Sequence, residues 1–144
     1  MNSLAVCYAD LGRQADALKL HEETLAVRRA KLGPGHPDTL QSMNNLATCY
    51  SALGRHAEAL KLREETLALQ KAKLGPDHPD TLLSMHNLAI SYHDLGRRAE
   101  ALKLREETLA RQKVRLGPDH PDTLLSMNNL AVSYDALGRP AEAL

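Results

Sequence analysis

The sequence predicts an all-α fold, a solenoid of antiparallel helix pairs built from about three and a half copies of a 42-residue unit. Three observations carry this prediction. Tyrosines stand at Tyr8, Tyr50, Tyr92 and Tyr134, each 42 residues after the last. The turn Leu-Gly-Arg recurs at Gly12, Gly54, Gly96 and Gly138, and Leu-Gly-Pro-x-His-Pro-Asp-Thr recurs around His36, His78 and His120. Residues 54–95 and 96–137 are identical at 34 of 42 positions, and residues 12–53 and 54–95 at 29.

Each unit holds two helices, A and B, and the copy that begins at Pro79 shows why. Proline suits the first helical position, where its missing N–H would have no intrahelical partner. Asp80 places negative charge at the positive end of the helix dipole. Helix A then runs to about Leu95, and Gly96 supplies the left-handed residue that ends it. Helix B begins near Arg98, with Glu100 in its first turn, and runs to about Leu116. Gly117-Pro118 stops it, because proline cannot continue a helix. The spacing of Leu82, Met85, Leu88, Ala89, Tyr92 and Leu95 marks the buried stripe of helix A. Ala101, Leu102, Leu104, Thr108, Leu109 and Leu116 mark that of helix B. Lys103, Arg105, Glu106 and Glu107 form its charged side. Neither helix buries its stripe alone, so stacked neighbours must.

On this reading the chain is one array: a partial copy over 1–36 that lacks the start of helix A, complete copies over 37–78 and 79–120, and a partial copy over 121–144 that lacks most of helix B. Met1 aligns with Met43, Met85 and Met127, and Leu144 falls six residues after Gly138, so the sequence starts and stops out of phase. No polar capping helix closes either end, and solenoids need such caps for solubility. The expectation is a piece of a longer array, with marginal terminal repeats or head-to-tail self-association in a contact that need not close.

These residues resemble the tetratricopeptide repeat, in the 42-residue form found in kinesin light chains and many bacterial repeat proteins, some of which carry signalling ATPase modules. The resemblance rests on Asn-Asn-Leu-Ala-x-x-Tyr (Asn44 to Tyr50), then Leu-Gly-Arg, Ala-Glu-Ala-Leu and Leu-Gly-Pro-Asp-His-Pro-Asp, and it covers the whole chain. It implies a right-handed superhelix whose A helices line a concave groove, and a protein–protein interaction scaffold that binds an extended peptide or partner segment there. The fold hosts many partners, so it does not name one. The chain departs from the family in helix B. His21, Arg63 and Arg105 stand where an aromatic residue is usual, and Thr24, Thr66 and Thr108 where alanine is usual. Either the arginine stem packs while its head reaches Glu or solvent, or it forms a buried charge pair between repeats, which is costly unless fully hydrogen-bonded.

Comparison of the copies points to the binding face. Within helix A they differ at Gln41/Leu83/Leu125, Asn44/His86/Asn128, Thr48/Ile90/Val132, Cys49/Ser91/Ser133, Ser51/His93/Asp135 and Ala52/Asp94/Ala136. At about 100° per residue, five of these six positions fall within an arc of roughly 100°, the Cys/Ser position lies beside it, and the core stripe lies opposite. A solvent face varies freely too. Asn45, Asn87 and Asn129, however, lie inside the arc and do not vary, and the corresponding asparagine serves peptide binding in related families. An amide donates and accepts, so it can bracket an extended backbone; the alternative is a bond to a neighbouring helix. The candidate partner-binding residues are therefore Asn45, Asn87 and Asn129 with Asn44, His86, Asn128, Thr48, Ile90, Val132, Ser51, His93 and Asp135. Lacking lysine and arginine, this set predicts a neutral or mixed segment rather than an acidic tail. A second reading is a structural or self-assembling segment, or the sensor arm of a larger signalling protein, with no peptide ligand.

The remaining chemistry points away from catalysis. Lys+Arg and Asp+Glu balance at 18 each, which gives no support for nucleic acid or an acidic membrane as the main partner. No run approaches the roughly 20 apolar residues that span a bilayer, no signal peptide opens the chain, and no CxxC motif is present, so the cytoplasm is the default location. No HExxH, GxSxG or phosphate loop occurs. Neither a cofactor nor a metal is expected. His36, His78 and His120 precede prolines and read as structural. His86 and His93 are about 10 Å apart along one helix, too far to share one zinc; both would make groove binding pH-sensitive between about 5 and 8. The Glu pairs at 22–23, 64–65 and 106–107 read as a solvated face. Cys7 and Cys49 sit at equivalent places on adjacent A helices. Packed helices lie about 8–10 Å apart and a disulfide needs Cα atoms within about 7 Å, so free thiols are expected.

Overall fold

The computed structural model describes residues 13–139. Six α-helices and no strand occur among them: α1 (Gln14–Leu32), α2 (Pro37–Ala52), α3 (His56–Leu74), α4 (Pro79–Asp94), α5 (Arg98–Leu116) and α6 (Pro121–Ala136). Helices α2, α4 and α6 are A helices; α1, α3 and α5 are B helices. The bounds match the sequence expectation for the copy that begins at Pro79 to within one residue.

Local chemistry sets these bounds. Each A helix opens on a histidine whose Nδ1 accepts the backbone N–H two residues on: His36 from Asp38 at 3.2 Å, His78 from Asp80 at 3.1 Å and His120 from Asp122 at 3.2 Å. The repeated His-Pro-Asp is therefore an N-terminal cap, with proline at the first helical position. At the other end Gly96 takes φ +75°, so that Arg97 N–H reaches back to Tyr92 O at 2.8 Å. This is the six-to-one bond of a helix-ending motif, and it folds the Arg97 guanidinium over the Tyr92 ring at 4.6 Å. Arg55 over Tyr50 and Arg139 over Tyr134 repeat it at 4.5 and 5.4 Å. Leu-Gly-Arg thus codes the helix stop and ties the turn to the A-helix tyrosine.

The chain divides into two compact units, Met1–Lys73 and Leu74–Leu144. In the first, Leu25, Leu40, Met43, Leu46, Ala47 and Leu62 form one core, with Leu18, Tyr50 and Leu69 packed against it. The tyrosine phenol is a cross-link: Tyr50 Oη donates to Glu22 of α1 at 2.7 Å. In the second unit, Leu102, Leu109 and Leu130 form a core joined by Tyr134 and Leu137, and Tyr134 Oη donates to Glu106 of α5 at 2.5 Å.

Several packing expectations need correction. Leu95 was placed on the buried stripe but is exposed, because it is the residue that leaves the helix at its C-terminus. Thr39, Thr81 and Thr123 are fully buried; Thr81 Oγ1 donates to Gly75 O at 2.8 Å and anchors the preceding loop there, whereas the Thr39 and Thr123 hydroxyls have no hydrogen-bond partner. Thr66 and Thr108, which replace the family's alanine, are buried without conflict. Each hydroxyl donates to the carbonyl four residues back at 2.8 Å. Arg63 is 8% exposed and Arg105 is half-buried, so neither belongs to the solvated face of helix B. Cys49 is buried and disulfide-bonded, against the free thiol expected. Its equivalents Ser91 and Ser133 are buried too. A small side chain in tight packing lets helices approach more closely than the spacing assumed for larger residues. Cys7 lies outside the described residues, as does most of the partial copy's helix A and the start of the last helix B.

Candidate functional site

The expected binding residues can be followed within each unit. On α2, Asn44, Asn45, Thr48 and Ser51 are all half-buried. Asn45 Oδ1 accepts from Gln41 Nε2 at 3.1 Å, and Thr48 Oγ1 donates to Asn44 O at 3.0 Å. The Asn45 amide is thus engaged along its own helix rather than with a neighbouring one in that bond.

The second unit holds two A helices, α4 and α6, with α5 packed against both, so residues of different copies meet there. His86 of α4 and Asn129 of α6 border the same small cavity of about 10 Å³, closed by Arg105, Thr108 and Ser126. That is about the room one oxygen atom requires. His86 and Ser126 also border a larger cavity of about 380 Å³ between the first turns of α4 and α6. Its floor is the end of α5 (Gln112, Arg115, Leu116), and its walls include Leu83 and Leu125. These two leucines are 56% and 57% exposed, an apolar pair facing one opening. Asn87, Ile90, His93, Asn128, Val132 and Asp135 are not in the lining of either cavity. Asn87 and Ile90 are half-buried, and His93, Asn128, Val132 and Asp135 are exposed. The Cys49/Ser91/Ser133 position, read as bordering the variable face, is buried instead.

The electrostatics of this groove centre on Arg105. Its Nη1 donates to Ser133 Oγ of α6. Its Nε is buried with no hydrogen-bond partner, and no carboxylate lies within ion-pair distance among the described residues. Burial pushes its pKa down. His86 is likewise held below the usual histidine value, first by burial and then by the Arg105 charge, so it is a neutral group in the groove. Gln112 is 9% exposed and its Oε1 also lacks a partner. The expectation of a groove without arginine is therefore corrected: α5 supplies one from beneath. Arg105 stood out in the sequence as a departure at the usual aromatic position of helix B, but not as a groove residue, and Gln112 did not stand out at all. The copies also differ in helix B, at His21/Arg63/Arg105 and Arg28/Gln70/Gln112. At the latter position Arg28 fills its space, donating to Ser42 Oγ at 2.7 Å and Asp38 O at 3.0 Å. Glutamine is shorter, and Gln112 leaves its oxygen unpaired at the floor of the larger cavity.

The first unit has a cavity of about 350 Å³ over an apolar floor of Leu25, Ala26, Leu46 and Leu62. Its rim is largely paired within the fold. Arg29 meets Glu65 at 2.8 Å, Tyr50 meets Glu22 at 2.7 Å and Glu58 meets Arg55 at 3.0 Å. A ligand there would have to displace existing bonds, whereas the α4–α6 groove offers unsatisfied ones. Among the described residues no cluster of His, Cys, Asp or Glu can hold a metal ion, and no helix is long and apolar enough to cross a membrane.

The tetratricopeptide repeat family matches over residues 1–72, 47–113 and 85–144. Among solved structures, kinesin light chain-like, nearly identical TPR-like repeats of Podosopora anserina are 37% identical at a TM-score of 0.82, over 92% of this chain and 63% of that one. A single-substitution variant of the same repeats gives the same identity and score over 62% of its length. BtubC (BKLC) of P. vanneervenii superimposes at a TM-score of 0.80 with 21% identity, over 92% of this chain and 53% of that one, a likeness of fold. The chain spans less than two thirds of each of these structures. No curated protein matches the sequence.

Proposed function

We propose, from the premise that this chain belongs to the tetratricopeptide repeat family, that it binds an extended segment of a partner protein in the groove between successive A helices. Repeats of this family generally mediate protein–protein interaction, and the α4–α6 groove is where this chain offers unsatisfied chemistry. The observation that carries the reading is the meeting of His86 and Asn129, 43 residues apart in sequence, at one cavity beside a larger one with an apolar wall. An extended strand in such a groove leaves backbone groups to be bonded, and asparagine both donates and accepts. We take Asn45, Asn87 and Asn129 as the recurring backbone contacts. Asn44, His86, Asn128, Thr48, Ile90, Val132, Ser51, His93 and Asp135 are the positions that differ between copies and read side chains. We take the 42-residue copy as the repeating unit, over 37–78 and 79–120 with partial copies on either side, and the reading assigns the chain no catalytic step.

A peptide library tests the asparagine role. Binding should weaken about tenfold or more in Asn87→Ala with Asn129→Ala, at roughly 1 kcal/mol or more for each lost backbone bond. Equal binding by wild type and double variant would exclude it.

A second reading, self-association, has its own observation. Leu124 and Met127 of α6 are 51% and 41% exposed, whereas their equivalents Leu40, Met43, Leu82 and Met85 are at most 5% exposed. In the other copies that face is covered by repeat packing, so a helix pair of the same kind, from a longer chain or from a second copy, is the occupant it fits. Light scattering over a concentration series should then show mass rising with concentration; a monomer at every concentration would contradict it.

A further inference from the structure

We infer that the cavity between the first turns of α4 and α6 seats an arginine side chain of the partner segment, its guanidinium in the place that Arg28 fills in the first unit. The inference rests on the groove reading above and names the chemistry of its ligand. The repeat supplies the template. Arg28, Gln70 and Gln112 are equivalent positions, as are Asp38, Asp80 and Asp122, and Ser42, Ser84 and Ser126. In the first unit Arg28 extends from α1 to the start of α2, where its Nη1 donates to Asp38 O at 3.0 Å and to Ser42 Oγ at 2.7 Å. The equivalent acceptors in the second unit are Asp122 O and Ser126 Oγ at the start of α6, and both residues line the cavity of about 380 Å³. Gln112 stands there in place of Arg28. It is 9% exposed, at the floor of the cavity, and its Oε1 has no partner. One guanidinium completes this arrangement in the first unit, and the second unit has the acceptors without the guanidinium.

Charge and shape select the same group. Asp80 and Asp122 line the cavity with Arg115 as the cation beside them, and His120 is neutral there because its Nδ1 accepts a bond, so the lining is net negative. The helix starts do not invite an anion. The N–H groups of Asp80 and Asp122 that would hold one are already bonded to His78 and His120 at 3.1 and 3.2 Å. Leu83 and Leu125, both more than half exposed, flank the opening and suit the methylene stem of an arginine whose head reaches the polar floor. Gln112 adds a third acceptor, because the last torsion of a glutamine side chain is soft and turns its oxygen to a donor in the cavity. A guanidinium has five donors in a planar fork, enough to serve a backbone carbonyl, a hydroxyl and an amide oxygen together. An ammonium gathers its three donors on one centre and serves spread acceptors less well. The ligand class is therefore an extended segment that presents an arginine at the start of the α4 and α6 helices.

A library of acetylated, amidated octapeptides tests this. One position at a time is fixed as Arg, citrulline, Lys or Glu, and retention on immobilised protein is read by mass spectrometry. Wild type should retain Arg over citrulline, its neutral isostere, by about fivefold or more at one position, the scale that separates a charged from a neutral hydrogen bond. Lys should fall between the two. Gln112→Arg supplies the guanidinium from the chain itself, as Arg28 does, and should erase the preference. Equal retention of Arg and citrulline by wild type, a preference for Glu, or an Arg preference that persists in Gln112→Arg overturns the arginine subsite; enrichment of other residues then leaves the groove reading standing. A library with no enrichment at any position overturns the groove reading and this inference together. If Gln112→Arg fails to fold by circular dichroism, Gln112→Met and Ser126→Ala take its place. Each should reduce the Arg preference, and an unchanged preference in both overturns the inference.

Discussion

His86 is where one residue's environment makes a measurable claim. Burial, and then the Arg105 charge, hold its folded-state pKa below the ordinary 6.5. In the unfolded chain the imidazole titrates normally, so as pH falls the unfolded state takes up this proton first. The neutral His86 therefore contributes stability that is present above about pH 6.5 and is lost as pH drops through 6.5 toward the depressed folded value. Asparagine is the natural comparison, since it occupies the equivalent positions 44 and 128. The melting temperature of wild type should fall more between pH 7 and pH 5 than that of His86→Asn; parallel curves would show that His86 titrates normally. The other histidines are common to both proteins and cancel. In the sequence, His86 stood as a candidate groove residue with an expected pH role. The direction of its shift was not legible, because it depends first on how deeply the imidazole is buried and then on Arg105, which sits on a different helix beside the charged Lys103 and Glu106.

At the scale of the element, the helices were legible almost to the residue, and the reason is local. His-Pro-Asp caps the start through a side-chain acceptor, and Leu-Gly-Arg stops the end through a left-handed glycine and a return bond from the arginine N–H. Both signals act over a few residues and need no tertiary context. What a helix presents to its neighbour was less legible. Periodicity found Leu82, Met85, Leu88 and Ala89 but passed over Thr81 and Ser84, which are equally buried. Hydroxyl residues near a helix start read as capping or solvent-facing, and only packing shows otherwise. Helix α5 is the clearest case. Its apolar stripe was read from Leu102 and Leu109, while Gln112 and Arg105 lie against α4 and α6 on a face that mixes polar and apolar groups. The Arg28/Gln70/Gln112 difference between copies was visible in sequence, but its meaning required seeing Arg28 bonded to Ser42 and Asp38 O, a space that Gln112 leaves partly empty.

For the whole molecule, repetition is what made the fold readable and the function only partly so. A 42-residue period repeats the same caps, the same Tyr–Arg stacking and the same buried methionine in each complete copy, so every copy votes for one architecture. Function resides in what does not repeat, and each copy then supplies a single observation. The groove of α4, α5 and α6 gathers three such differences, His86, Gln112 and Leu125, around the recurring Asn129. The most direct test is an amide nuclear magnetic resonance titration of the protein with a peptide selected from the library by its binding. Saturable shifts should fall on Leu83, His86, Arg105, Leu125, Ser126 and Asn129. Shifts confined to the first unit's cavity around Leu25, Tyr50 and Leu62, or none at saturating peptide, would contradict the account.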